Sequence, residues 1–190
     1  ETVTSVIKNT DRWLAIVPII VLVLMIGVFG KRLFDVQHGD TPSAIPTVLI
    51  NKPIPNLDLA PLPGRGEGLT TESLLGKVSL INFYGSWCIA CLAEHSLLMQ
   101  IKNEKLATLH GIAWRDEPSA SLAWLNQHGD PYQIIGQDPF SETAIEFGVT
   151  GAPETFIIDT QGIIQYKHVG PLTKEVFATV ISPLIRELSE

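Results

Sequence analysis

The sequence predicts an α/β domain, a sheet of mixed direction covered by helices on both faces, carried behind one N-terminal transmembrane helix. Three observations predict it. From about residue 55 onward, β-prone apolar runs alternate with helix-periodic segments. The chain then ends in a strand-turn-strand pattern followed by a helix. At the other end, residues 13–30 form an apolar run without a charge.

That apolar run reads from Trp13 to Gly30, with Arg12 before it and Lys31 and Arg32 after it. Roughly 17–25 apolar residues cross a hydrocarbon core, so the run can just span a bilayer. A cleaved signal peptide would want a shorter stretch and a small-residue cleavage site, whereas here two basic residues follow. A buried soluble helix would show a polar face, and this one has none. Lys8 and Arg12 balance Lys31 and Arg32, so charge alone does not orient the span. The expected organisation is a tail at 1–12, an anchor at 13–30 in contact with lipid, a Pro/Thr/Ser/Asn-rich linker over 31–54 and a folded domain over 55–190.

Within the domain, residues 56–60 alternate as an edge strand does, and residues 61–68 are a Pro/Gly-rich loop. A short helix is expected at 71–75. Val78 to Tyr84 is a mostly apolar, β-prone run, the pattern of a strand buried on both faces. From Cys88 to about Lys105 no Gly or Pro occurs, and Leu92, Leu97, Leu98 and Ile101 recur at helical spacing. Short strands are expected at 111–114 and 132–135, with a helix between them at 119–127 capped by Ser119. A helix at 141–147 stops at Gly148. A hairpin of 155–159 and 163–168 and a last helix from Thr173, its cap, close the chain.

Composition narrows the function. With 190 residues, 45% of them hydrophobic, the chain can bury one substantial core. The net charge of -7 and scattered basic residues offer no surface for a phosphate backbone, which argues against nucleic-acid binding. Only two cysteines are present, in Trp87-Cys88-Ile89-Ala90-Cys91, so several disulfides do not staple the fold.

A Cys-x-x-Cys where a buried strand meets a helix puts the first sulfur at the helix N-terminus, where unpaired amides and the macrodipole favour an anion. Cys88 is therefore the expected nucleophile, and Cys91, one turn on, the residue that resolves a mixed disulfide. Trp87 is expected to shield the pair on one side and to form part of a docking surface. A lone Cys-x-x-Cys is also half of a zinc site. No second pair completes one, but His95 follows Cys91 by four residues, so a copper or zinc metallochaperone using Cys88, Cys91 and His95 is the rival of a different class. Covalent haem attachment would need His after Cys91, and Leu92 stands there. A second constellation is Gly148-Val149-Thr150-Gly151-Ala152-Pro153-Glu154-Thr155-Phe156. A cis bond before Pro153 would turn backbone groups of residues 150–152 toward the cysteines, where an extended substrate could pair with them.

At these two motifs, Asn82 to His95 and Gly148 to Phe156, the sequence resembles the thioredoxin superfamily and, within it, the CcmG/DsbE group of cytochrome c biogenesis proteins. The resemblance runs from about Pro55 to the C-terminus and extends to the single anchor. It implies a thioredoxin-like fold and a thiol-disulfide oxidoreductase with a redox disulfide Cys88-Cys91, and neither a cofactor nor a metal. It further implies a single-pass protein of the bacterial inner membrane whose domain faces the periplasm. There it would reduce the haem-binding motifs of apocytochrome c beside the haem-ligation machinery, and be re-reduced by a membrane thiol-reductant protein. By the same resemblance Pro153 is the cis-proline and Glu154 adds an acidic surface beside the active site. Two departures stand out. Ile89-Ala90 replaces the commoner proline-first pair, which leaves the potential open, and a disulfide-donating oxidase would use the same residues. Asn82 occupies the place of a buried acid in ordinary thioredoxins, which leaves Glu94 and Glu154 as candidate proton acceptors for Cys91.

Overall fold

The computed structural model describes residues 16–31 and 48–189. The chain divides into two compact units, Glu1–Ile45 and Pro46–Glu190. In the first, residues 16–31 form a helix, α1, whose large apolar side chains from Ile16 to Phe29 are exposed. Among the described residues no helix is long and apolar enough to cross a membrane. The expected tail, the first three residues of the expected anchor and linker residues 32–47 lie outside the described residues.

The second unit is built on a five-stranded sheet of order β5-β4-β3-β6-β7, with β3 Ser79–Tyr84, β4 Thr108–Trp114, β5 Ile134–Asp138, β6 Glu154–Ile158 and β7 Ile164–Val169. The first three of these run parallel, and β6 and β7 are antiparallel to their neighbours. Parallel pairing needs crossovers, and helices supply them: α2, Ile89–Asn103, between β3 and β4, and α3, Pro118–His128, between β4 and β5. The short α4, Glu142–Glu146, leads to β6. The last helix starts at Thr173, whose side chain caps it; α5, Lys174–Val176, continues through a π-helical stretch, Phe177–Ile181, into α6, Ser182–Ser189.

Side-chain alternation along the central strand explains the two cores. Leu80 and Tyr84 face one layer, with Leu97, Leu98, Ile101, Leu125, Phe177 and Ile181 from the helices. Ile81 and Phe83 face the other, with Leu69, Leu74, Phe147, Phe156 and Ile164. All six residues of β3 are buried, as expected of a strand covered on both sides. Each fully buried large apolar side chain contributes about 1.5–3 kcal/mol relative to exposure.

Two-stranded pairing of β1, Asp58–Leu59, with β2, Leu69–Thr70, closes the Pro/Gly-rich loop, and the expected short helix is a 3-10 turn at Glu72–Leu74. Residues 48–54, placed in the linker by composition, lie in the second unit. There Asn51 and Ile54 donate backbone hydrogen bonds to Ile164 and Gly162. Ser119 does not cap α3. Pro118 takes the first helical turn, where its missing N–H costs nothing, and the Glu117 carboxylate accepts from the amides of Ser119 and Ala120. The strand expected at 132–135 begins two residues later, because Tyr132 turns inward to stack on Tyr84 with ring centroids 4.8 Å apart.

Candidate active site

β3 ends at Tyr84, and the next four residues carry the chain across the carboxyl end of the sheet to α2. Gly85 has no side chain for a physical reason: a Cβ there would lie 2.5 Å from the Trp87 indole nitrogen. Ser86 is pinned by Asp116, whose carboxylate accepts from the Ser86 amide at 2.7 Å and from its hydroxyl at 2.6 Å. Cys88 is the N-cap of α2, extended at φ -92°, and its sulfur accepts from the amide of Cys91 at 3.0 Å. The two cysteines form a disulfide with Cα atoms 5.3 Å apart, and both are buried. Trp87 and Ile89 beside them are exposed, at 52% and 87%.

The second constellation faces the first. The Ala152–Pro153 peptide is cis, and the Ala152 carbonyl oxygen lies 3.4 Å from Cys88 Sγ. Glu154 does not form the acidic surface expected of it: it is fully buried. Its Oε1 accepts from the Thr150 amide at 2.8 Å, the Thr150 hydroxyl at 2.6 Å and the Gly151 amide at 3.2 Å. Its Oε2 meets Lys167 Nζ at 2.8 Å. Lys167 also donates to the Gly148 carbonyl at 2.7 Å and lies over the Phe156 ring. One carboxylate thus ties both ends of the turn that presents Ala152 to the cysteine.

Glu94 lies on α2 one helical turn beyond Cys91 and is buried in a polar network between that helix and the sheet. Asn82 Nδ2 donates to Glu94 Oε1 at 2.8 Å and to Thr155 Oγ1 at 3.0 Å, while the Tyr132 hydroxyl donates to Asn82 Oδ1 at 2.7 Å. The Leu172 amide donates to Glu94 Oε2 at 2.7 Å. Burial raises the Glu94 carboxyl to about 7, against the opposing pull of the Leu172 and Asn82 hydrogen bonds. Asn82 therefore connects two chemical groups: it fills the position where an acid was absent and holds a carboxyl that can exist in either protonation state near neutrality.

His95 turns away from the sulfurs. Its Nε2 is 3.0 Å from the Gly129 carbonyl oxygen and its ring meets Trp124 edge-on at 4.5 Å. Burial lowers its pKa. Among the described residues no cluster of three His, Cys, Asp or Glu side chains is arranged to hold a metal ion. The sequence reading missed Asp116, Tyr132 and Lys167, and placed Thr155 in the second motif without a partner. Each is separated from the cysteines by at least 25 residues, and only the strand order brings them together; the local signal for Asp116, an acid just past a predicted strand, is too common to single it out.

A family model described as Redoxin matches residues 49–181. The thiol:disulfide interchange protein DsbE of Allochromatium vinosum is 42% identical over 144 residues, covering 76% of this chain and 80% of that protein. DsbE of Pasteurella multocida is 35% identical over 173 residues, covering 91% and 95%. The thiol:disulfide interchange protein HelX of Rhodobacter capsulatus is 36% identical over 164 residues, covering 86% and 92%. Among solved structures, a secreted thiol-disulfide isomerase from Corynebacterium glutamicum superposes with a TM-score of 0.60 at 24% identity, covering 70% of this chain and 85% of that one. A thioredoxin-family thiol:disulfide interchange protein from Chlorobium tepidum gives 0.59 at 23% identity, covering 72% and 94%. Those two show the thioredoxin-like fold, which the mixed five-stranded sheet and its covering helices share. The disulfide at the start of α2, the matched family model and relatives aligned over most of their own length agree: the chain belongs to the Redoxin family, beside the DsbE-type thiol:disulfide interchange proteins, and is a thiol-disulfide oxidoreductase.

Proposed function

We propose that this chain is a membrane-anchored reductant that opens disulfides in the haem-binding motifs of apocytochrome c during cytochrome c maturation. The observation that carries the chemistry is Cys88 at the head of α2, its sulfur receiving the Cys91 amide at 3.0 Å and lying 3.4 Å from the Ala152 carbonyl oxygen. In the reduced protein the Cys88 thiolate attacks a substrate disulfide, one substrate sulfur leaves, and a mixed disulfide forms. Cys91 then gives up its proton and attacks Cys88, so the reduced substrate departs and Cys88-Cys91 is left oxidised. Glu94 is the proposed proton acceptor for Cys91. Trp87, Pro153 and Glu154 are proposed to support the site, Trp87 as a docking surface and the other two by shaping the turn that pairs with a substrate strand.

The anchor is part of the same proposal. The uncharged run at 13–30 is what supports a single pass; the helix over residues 16–31 exposes its apolar side chains but covers only part of the length a pass requires. The second unit, Pro46–Glu190, would then be joined to the anchor by a linker shorter than composition indicates and would face the periplasm from the inner membrane. There it would be re-reduced by a membrane thiol-reductant protein and act beside the haem-ligation machinery. The DsbE and HelX names of the relatives support this setting.

Substituting Cys91→Ser stops the reaction at the mixed disulfide. Incubated in reduced form with an oxidised apocytochrome peptide containing its two haem-binding cysteines, the variant is expected to accumulate a covalent adduct through Cys88, cleaved by dithiothreitol. No adduct under conditions where the wild-type chain turns over the peptide sinks the reading. A reduction potential near the roughly -120 mV of strong oxidants would reverse its direction to disulfide donation.

A further inference from the structure

We propose that a cleft beside Cys88, formed by Trp87, Trp114 and Arg115, binds a carboxylate side chain of the partner polypeptide within about three residues of its reacting cysteine. This deepens, and rests on, the oxidoreductase reading of Cys88 and Cys91. The cleft has a volume of about 340 Å³. Its walls are fixed. The Trp87 and Trp114 rings meet edge to face with centroids 5.9 Å apart, Trp87 rests over Gly85, and Trp114 Nε1 donates to Ser141 Oγ at 2.9 Å.

Arg115 is the cation of the cleft, and its surroundings leave it free to act on a ligand. It is exposed, and its backbone stands in the left-handed region at φ 47°, which residues other than glycine adopt at a cost. That backbone is held by its own amide, which donates to the Asp138 carbonyl at 2.9 Å. Among the described residues no hydrogen bond or ion pair engages its guanidinium. Asp116 and Glu117, which follow Arg115 in the chain, and Asp138, whose carbonyl its amide meets, all accept from other donors, Glu117 from the amides of Ser119 and Ala120. Asp116 accepts from Ser86, and Asp138 accepts from the amides of Thr143 and Ala144. A guanidinium with five donors, in a cleft shared with two indoles, suits a carboxylate, whose two oxygens it can meet together.

The adjacency of Trp87 and Cys88 sets the sequence position. Trp87 adjoins Cys88, and a substrate extended along Gly151 and Ala152 advances about 3.4 Å per residue. A side chain that reaches a cleft lined by the neighbour of Cys88 belongs to a residue near the substrate cysteine, and three positions on either side span about 10 Å each way. An apolar side chain is the competing occupant, since Trp87, Ile89 and Phe140 are exposed in this region of the chain. Charge decides for the carboxylate: a purely apolar segment would leave the guanidinium facing it without a partner.

The test uses the full chain in detergent, reduced, and blocked cysteine peptides presented as mixed disulfides with 2-mercaptoethanol. Glu, Gln or Leu is placed in turn at each of the three positions on either side of the cysteine. Cys88 displaces mercaptoethanol or the peptide thiolate, Cys91 completes the exchange, and two protein thiols become one disulfide as the peptide disulfide becomes two thiols. Each rate is divided by that with dithiothreitol, which removes the peptide's own reactivity. At one position or more, Glu is expected to react about threefold or more faster than Gln and Leu, the scale of a part-exposed ion pair. Arg115→Gln should bring that ratio to one, Arg115→Lys should restore part of it, and Arg115→Glu should lower it below one. A ratio of one at every position, a ratio unchanged by Arg115→Gln, or Leu fastest throughout overturns the proposal. Failure of the wild-type chain to reduce even the disulfide of 2-mercaptoethanol would instead overturn the oxidoreductase reading.

Discussion

Replacing His110 by Leu is expected to remove an acid-sensitive element from the core. His110 lies on β4 between Ile81 and Ile134 in the sheet register, is fully buried, and among the described residues neither ring nitrogen has a hydrogen-bond partner. Burial, with a smaller push from the Lys77 ammonium, lowers its pKa from 6.5 to about 4. The unfolded chain therefore takes up this proton more readily than the folded one. Stability from this group is complete above pH 6.5, declines as the pH falls, and levels off below about pH 4. At about 1.4 kcal/mol per pH unit, that interval corresponds to about 3 kcal/mol. Urea unfolding of the oxidised wild-type and His110→Leu chains between pH 7.5 and 4 gives the comparison. The stability of the variant relative to wild type should grow by about 3 kcal/mol from the neutral to the acid end. The variant should also be no less stable at pH 7.5, since leucine there buries no polar atom that needs a partner. Parallel curves across that range would refute the reasoning.

Two further perturbations act on the site. Lys167→Met leaves the fully buried Glu154 carboxylate without its cation and should cost about 3–5 kcal/mol in urea unfolding, with Lys167→Met/Glu154→Gln recovering most of it; an additive double variant would show that the pair does not interact. Burial raises the Glu94 carboxyl from 4.5 to about 7, so the folded chain holds this proton more tightly, and stability from the group is complete below pH 4.5 and falls by about 3 kcal/mol as the pH rises through 7. Glu94→Gln should abolish that decline and remove a step near pH 7 from the rate at which Cys91 resolves a mixed disulfide, read by stopped-flow fluorescence of the tryptophans.

Much of this architecture was legible because it is local. The uniform apolar character of Val78 to Tyr84 and the helical spacing of Leu97, Leu98 and Ile101 come from burial on one element, and β3 and α2 lie within two residues of where those patterns put them. The cysteine spacing likewise needs only one helical turn. What stayed hidden depends on pairing between distant segments. Lys167 becomes a partner of Glu154 because β7 lies beside β6 in antiparallel register, and Tyr132 reaches Asn82 because Gly111 leaves room for its ring: a Cβ there would lie 2.9 Å from it. Glu154 was misjudged for the same reason. A glutamate after a proline looks solvent-facing in sequence, and only the ammonium supplied by the next strand makes its burial tolerable.

Glu94 and His110 belong to the two opposite cores of one sheet, and their titrations oppose each other over nearly the same interval. Protonation of His110 below pH 6.5 weakens the fold, while deprotonation of Glu94 above pH 4.5 weakens it too. Across the overlap one contribution rises as the other falls, each by about 3 kcal/mol, so the wild-type chain carries little net dependence from the pair. The pH dependence from keeping a carboxyl with a pKa of about 7 beside Cys91 is therefore masked by that of His110. It is exposed only when one member is removed: without His110 the fold weakens toward alkaline pH, and without Glu94 it weakens toward acid. Within the pair, the pH dependence that a buried, proton-exchanging carboxyl one helical turn from Cys91 brings to the fold is offset by that of the buried imidazole on the other face of the sheet.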